Sequence, residues 1–131
     1  MDPAARVEQP IRVLIVDDHR LFAEALEAIL AAESTIEVVG RARNGAEALE
    51  MTLDLDPDVV LMDISMPVMD GVEATRRIRE ARPEACVLML TGSNAVADVD
   101  RSRDAGAAGY VTKDRIAAEL IDAILEVVAR P

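Results

Sequence analysis

Five short apolar runs, each separated from the next by a stretch of helical periodicity, constrain this chain more than any other feature. The runs cover residues 11–16, 36–39, 59–62, 86–90 and 108–111. Runs of Val, Ile and Leu without polar alternation suit strands buried on both faces, the condition inside a parallel sheet. Between the first two runs, Phe22, Ala25, Leu26, Ile29 and Leu30 recur on one helical face. Asn44, three residues before Glu47, is an N-cap signal for a helix over 46–53. Asp70-Gly71 opens a third helix that runs through Arg79 and closes before Pro83. Asn94 is the expected cap of a fourth, ending near Gly106. Asp114 is the expected cap of a fifth, whose apolar stripe is Ile116, Leu120, Ile121, Ile124, Leu125 and Val128. Strands alternating with helices imply right-handed βαβ units and a parallel α/β sheet.

The length, 131 residues, is that of one domain. The chain is 51% hydrophobic, but Phe22 and Tyr110 are its only aromatic residues, so aliphatic side chains must build the core. Residues 1–10 carry no apolar stretch and are expected to be a flexible lead-in, with the folded domain over 11–131. A net charge of −11 argues against nucleic-acid binding by this domain. Cys86 is the single cysteine and His19 the single histidine, which excludes an internal disulfide and a Cys- or His-rich metal cage. No apolar run approaches a membrane span and no signal peptide is evident, so no membrane contact and a cytoplasmic location are expected. The fourth helix window, 95–105, carries five charged residues against two valines. Such a helix is weakly anchored by burial.

Ligands of an open parallel sheet bind beyond the carboxyl ends of its strands, where the strand order reverses. Asp17 and Asp18 follow the first run, and Asp63 ends the third. With strand order 2-1-3-4-5, the first and third strands are neighbours and these carboxylates share one pocket. Three such carboxylates repel, and a hard divalent cation relieves the repulsion. Mg2+ fits better than zinc, because it takes oxygen ligands and keeps positions open for water and phosphate oxygens. Thr91 closes the fourth strand and Lys113 follows the fifth, bringing a hydroxyl and an ammonium to the same edge. A carboxylate nucleophile, a metal, a hydroxyl and a cation are the parts needed to hold a transferring phosphoryl group.

The stretches IRVLIVDDHRLF, PDVVLMDISMPVMDG, VLMLTG and GAAGYVTKD stand in this order between residues 11 and 114. With them the chain resembles the receiver domain of two-component response regulators. The resemblance implies the flavodoxin-like (CheY-like) doubly wound fold, with five strands in the order 2-1-3-4-5 and five helices. It also implies that Asp63 accepts a phosphoryl group from a sensor histidine kinase. It makes Asp17, Asp18, Asp63 and the backbone carbonyl of Ser65 the ligands of Mg2+. It gives Thr91 a phosphoryl oxygen to bind, pairs Lys113 with Asp63 or its phosphate, and makes Tyr110 a switch residue beside Thr91. The output surface it implies is helix 4, strand 5 and helix 5. The mixed acids and arginines of helix 4 suit charge pairing with a twofold-related copy, so phosphorylation is expected to favour a homodimer or release of an appended output domain, with helix 1 as the alternative dimer contact. Many receivers have proline after the lysine, whereas Asp114 stands there in this chain. That variant, with DDH and GAAGY, is most similar to receivers of the NarL/LuxR type, which carry a helix-turn-helix DNA-binding domain downstream. A domain excised from such a transcription regulator is the expectation, with a natural single-domain regulator as the alternative.

The leading function is therefore a signalling module that promotes its own phosphorylation and dephosphorylation and is not otherwise an enzyme. The alternative is a metal-dependent aspartyl phosphohydrolase of the haloacid-dehalogenase type. That chemistry uses a second acid two residues after the nucleophile, where this chain has Ser65. An FMN binder of flavodoxin type is a weaker rival, since the acids would repel the FMN phosphate. His19 reads as a residue at the start of the first helix, and Cys86 as a small core residue opening the fourth strand.

Overall fold

The computed structural model describes residues 9–66, 69–92 and 96–129. In chain order the elements are β1 (Ile11–Val16), α1 (Arg20–Ala31), β2 (Ile36–Ala42), α2 (Gly45–Leu55), β3 (Val59–Asp63), α3 (Gly71–Ala81), β4 (Val87–Thr91), α4 (Val96–Asp104), β5 (Gly109–Thr112) and α5 (Ile116–Ala129). The five strands form one parallel sheet in the order β2-β1-β3-β4-β5. This is the doubly wound, flavodoxin-like topology that the resemblance implies, and its parallel sheet is the one expected from the alternation of apolar runs and helices.

Alternation of side chains along each strand divides the core in two. Val13, Ile15, Val59, Leu61, Leu88, Leu90 and Val111 face one layer, where Leu26 and Leu30 of α1 and Leu120 and Ile124 of α5 meet them. Leu14, Val16, Val60, Met62, Val87 and Met89 face the other, against Ala48 of α2 and Val72, Ala74 and Ile78 of α3. Leu120 and Ile124 are wholly buried, and each such side chain stabilises the fold by roughly 1.5–3 kcal/mol relative to exposure.

Two helix starts follow their sequence signals. Asn44 Oδ1 accepts the Glu47 N–H at 2.8 Å and Asp70 Oδ1 accepts that of Glu73 at 2.9 Å. The fifth start does not. Asp114 lies in the middle of a 3₁₀ turn, Lys113–Arg115, that precedes α5, and Thr112 stands at the cap position of that turn without a side-chain bond. Asn94, the expected cap of α4, lies outside the described residues, as do residues 1–8 of the expected lead-in.

The strand limits shift by a few residues. β2 runs three residues past Val39, through Gly40 and Arg41, because its pairing with β1 slips at Val13/Leu14 and then continues to Ala42. β4 begins at Val87, with Cys86 just outside although its carbonyl still accepts the Val60 N–H. β5 begins at Gly109, with Ala108 just outside although its N–H donates to Val87 O at 2.8 Å. Among the described residues no helix is long and apolar enough to cross a membrane.

Candidate functional site

The site is built by register. Val16 of β1 stands opposite Met62 of β3, so Asp17 and Asp63 are the next residues of two adjacent strands. Both share the parity of Val13, Ile15, Val59 and Leu61, and so turn toward the α1/α5 layer. Asp17 is held by its N–H on Ala42 O at 3.0 Å, and the strand past Asp63 by the Ile64 N–H on Leu90 O at 3.0 Å. Both carboxylates are buried, with side chains 0% and 1% exposed.

Gly71 fixes the loop beyond Asp63. A Cβ at that position would lie 2.2 Å from the Asp63 carbonyl oxygen and 2.8 Å from Ile64 Cα. The Gly71 N–H also donates to Ile64 O at 3.0 Å. Only a residue without a side chain lets the start of α3 approach the end of β3 so closely.

Each buried carboxylate has one oxygen hydrogen-bonded and one without a hydrogen-bond partner. Asp17 Oδ1 accepts the His19 N–H at 2.7 Å. Asp63 Oδ1 accepts the Ser65 N–H at 3.2 Å and lies 3.2 Å from Lys113 Nζ. Asp17 Oδ2 and Asp63 Oδ2 are buried with no hydrogen-bond partner. Lys113 Nζ is 4.0 Å from Asp17 Oδ2, so one ammonium serves both acids. Burial is the largest influence on Asp63 and raises its carboxyl above the usual value; the charge of Asp17 adds to the rise, and Lys113 and the Ser65 N–H oppose it.

The donor set suits a divalent metal. Ligand atoms of Asp17, Asp18, His19 and Asp63 lie within 4.8 Å of one another. Two desolvated carboxylate oxygens left without hydrogens are what a hard cation would satisfy, and Mg2+ bound by few carboxylates keeps room for water and phosphate oxygens. Asp18 stands at the exposed rim. His19 occupies the N-cap position of α1 without capping it, and its Nδ1 lies 3.3 Å from Asp17 Oδ1 and 3.2 Å from Asp18 Oδ1. The sequence sets His19 directly after the two acids, where a ligand or base role is the alternative to a plain helix-start residue, and the structure brings its ring to both carboxylates.

Thr91 is buried at the end of β4, and its register partner is Thr112 of β5. It has the parity of Val87 and Met89 and so belongs to the α2/α3 side of the sheet. Tyr110 is 44% exposed on edge strand β5, where it borders a cavity of about 160 Å³ shared with Val99 and Ser102. Ser65 is exposed, and its main chain rather than its hydroxyl contacts Asp63. The structure therefore brings Asp17, Asp18, Asp63 and Lys113 together and leaves Tyr110 apart from them. One contact had no sequence signal: Lys113 Nζ lies 4.6 Å from the centroid of the Phe22 ring on α1.

The profile of the response regulator receiver domain matches residues 13–125. The chain belongs to this family. Among curated relatives, this receiver is 40% identical over 117 residues to the transcriptional regulatory protein LnrK of Bacillus subtilis, covering 89% of the chain and 53% of LnrK. It is 42% identical over 114 residues to the response regulator protein VraR of Staphylococcus aureus, covering 87% of the chain and 54% of VraR. The chain thus spans about half the length of the curated relatives it matches. Its fold is similar to the signal receiver domain of the putative response regulator NarL from Mycobacterium tuberculosis, with a TM-score of 0.87, 35% identity and coverage of 92% and 98% of the two chains. It is also similar to CheY of Borrelia burgdorferi, solved in a complex with CheX, BeF3 and Mg2+, with a TM-score of 0.85, 27% identity and coverage of 92% and 91%.

Proposed function

We propose that this receiver takes a phosphoryl group from a phosphohistidine of a sensor histidine kinase onto Asp63, in the presence of Mg2+, and thereby controls an output. The observation that carries the reading is Asp63 itself, a buried carboxylate with one oxygen held by Lys113 and Ser65 and the other without a partner. In the transfer, an Asp63 oxygen bonds to phosphorus as the phosphorus–nitrogen bond of the donor breaks, and the imidazole nitrogen keeps the electron pair. Asp63 must be ionised to attack, and Lys113 opposes the rise that burial imposes on its carboxyl. Asp17, Asp18, Asp63 and the Ser65 carbonyl would hold Mg2+, which when bound neutralises charge on the phosphoryl oxygens. Lys113 adds a fixed positive charge on the same side, and the Thr91 hydroxyl is the donor for a phosphoryl oxygen. The BeF3 and Mg2+ in the related CheY complex are consistent with this use of the fold.

Phosphate on Asp63 gives Thr91 an acceptor and draws the end of β4 inward, with Tyr110 as the residue that turns in behind it. The surface that changes is α4, β5 and α5, which favours a homodimer or releases an appended output domain. The relatives named as transcriptional regulators support a DNA-binding output located outside this domain, which at a net charge of −11 does not itself bind nucleic acid. A cytoplasmic location and a signalling rather than metabolic role complete the reading. The phosphohydrolase alternative gains nothing from the site, where Ser65 brings no second acid to the leaving group.

The test is mass spectrometry after incubation with acetyl phosphate and Mg2+. One phosphate adduct is expected on the wild type and none on Asp63→Asn. An undiminished adduct on the variant, or one that persists in a metal chelator, overturns the assignment.

A further inference from the structure

The chain contains one lysine and one phenylalanine, and the fold sets them face to face: Lys113 Nζ lies 4.6 Å from the Phe22 ring centroid. We propose that Phe22 is a positioning residue for Lys113, holding the ammonium by a cation–π contact at the place from which it serves Asp63. The proposal rests on Asp63 being the phosphoacceptor and Lys113 its partner.

Lys113 stands in the turn after β5, while Asp63 ends β3, with β4 between them. Its side chain must cross the end of β4, and a four-carbon stem has many other directions available. The ammonium offers three donors. Asp63 Oδ1 lies 3.2 Å away and Asp17 Oδ2 4.0 Å away. Phe22, in the first turn of α1, supplies the third neighbour.

An aromatic face suits this place better than the alternatives. A further carboxylate would attract the lysine but add charge to a pocket that already holds Asp17, Asp18 and Asp63, and it would compete for the metal. An aliphatic side chain would pack but would not attract. The ring quadrupole attracts the cation while adding neither net charge nor a metal ligand. Phe22 is only half-buried against the α1/α5 core, so filling the core does not fully account for it. The contact also links the loop bearing Asp17 and Asp18 to the turn bearing Lys113.

The experiment uses protein labelled with ¹³C,¹⁵N-lysine, in which the single lysine gives one set of side-chain signals. In the wild type the Lys113 ε-methylene signals should be shifted upfield by the ring. The shift should persist in Phe22→Tyr and vanish in Phe22→Leu, with folding of each variant checked by thermal melting. Phosphorylation by acetyl phosphate should slow roughly 3–10-fold in Phe22→Leu and stay within about twofold of wild type in Phe22→Tyr. Mg2+ affinity should be unchanged in both. In a Lys113→Ala background, Phe22→Leu should slow phosphorylation no further.

An unshifted lysine signal in the wild type overturns the proposal. So does a Phe22→Leu variant that is phosphorylated at the wild-type rate, or one slowed equally with and without Lys113. A wild type that acquires no phosphate overturns the reading of Asp63 and this proposal with it, whereas a normal adduct with an indifferent Phe22→Leu variant overturns this proposal alone.

Discussion

Lys113→Ala removes the ammonium that lies against two buried carboxylates, and its cost should depend on pH. At 3.2 and 4.0 Å from Asp63 and Asp17, the two attractions are about 5 and about 4 kcal/mol at an effective dielectric near 20, before desolvation is counted. Removing one partner of a buried pair costs about 3–5 kcal/mol when a charge is stranded. Here Lys113 is 27% exposed and Asp63 can take up a proton instead, so a loss of about 2 kcal/mol is expected at neutral pH. For a domain of this size that is a fall in Tm of roughly 6–10 °C.

The sign of the pH dependence follows from Asp63. Burial and Asp17 raise its carboxyl above the ordinary 3.8. As pH climbs past that value the unfolded chain releases its proton while the folded one still holds it. Stability therefore falls with rising pH until the folded group ionises as well. Without Lys113 the folded value rises further, so the variant loses more over the same climb. Urea denaturation in a chelator should show a small gap between variant and wild type near about pH 4.5 and the full gap near about pH 7.5. Mg2+ at ten times its dissociation constant should add about 1.4 kcal/mol to the wild type. A gap of equal size at both pH values, or no gap at the higher one, would refute the view that the lysine compensates buried charge.

Three further outcomes are expected. Gly71→Ala should destabilise the domain by about 3 kcal/mol or more in urea denaturation and abolish phosphorylation, because its Cβ would meet the backbone of Asp63 at 2.2 Å and no side chain can yield there. Asp70→Ala should cost about 1 kcal/mol by loss of the α3 cap and speed amide exchange in α4, since Asp70 Oδ2 is also bonded by Arg101 of that helix at 3.1 Å; unchanged exchange in α4 would show the bridge to be idle. Hydrogen exchange with and without BeF3 and Mg2+ should change most in α4, Thr91 and Tyr110, and a change confined to α1 would relocate the output face.

What the sequence could reveal depended on how local its cause was. The alternation of apolar runs with helical stripes foretold a parallel α/β sheet, the strand order came only with the resemblance, and Asn44 and Asp70 announced their helices because a cap is a contact between residues three apart. Asp114 misled for the same reason: a cap signal in a four-residue window does not show that the chain first makes a 3₁₀ turn. The acid pocket was legible because parallel strand ends converge by topology. The length of β2 was not, because it is set by a slip in pairing with β1. His19 follows the acids in sequence but its ring was set aside as a ligand, and Phe22 was missed as a neighbour of the lysine, since both contacts depend on where α1 sets down after the acid loop.

On the proposed reading, a change at Asp63 should be felt at α4 more than in the sheet, because the two are held differently. β3 and β4 are buried along their whole lengths and offer no room to move. α4 differs: from Ala97 to Asp104 only Ser102 is buried, and its hydroxyl bonds within the helix, to Asp98 O at 2.8 Å. Among the described residues, one tie of α4 to the start of α3 is the exposed pair Arg101–Asp70, and an exposed pair of this kind is worth at most about 1 kcal/mol. Beside it, Tyr110 borders a cavity already present next to Val99 and Ser102. On that reading a bias of a few kcal/mol acts first on α4, whose described residues are less buried than the strands of the sheet.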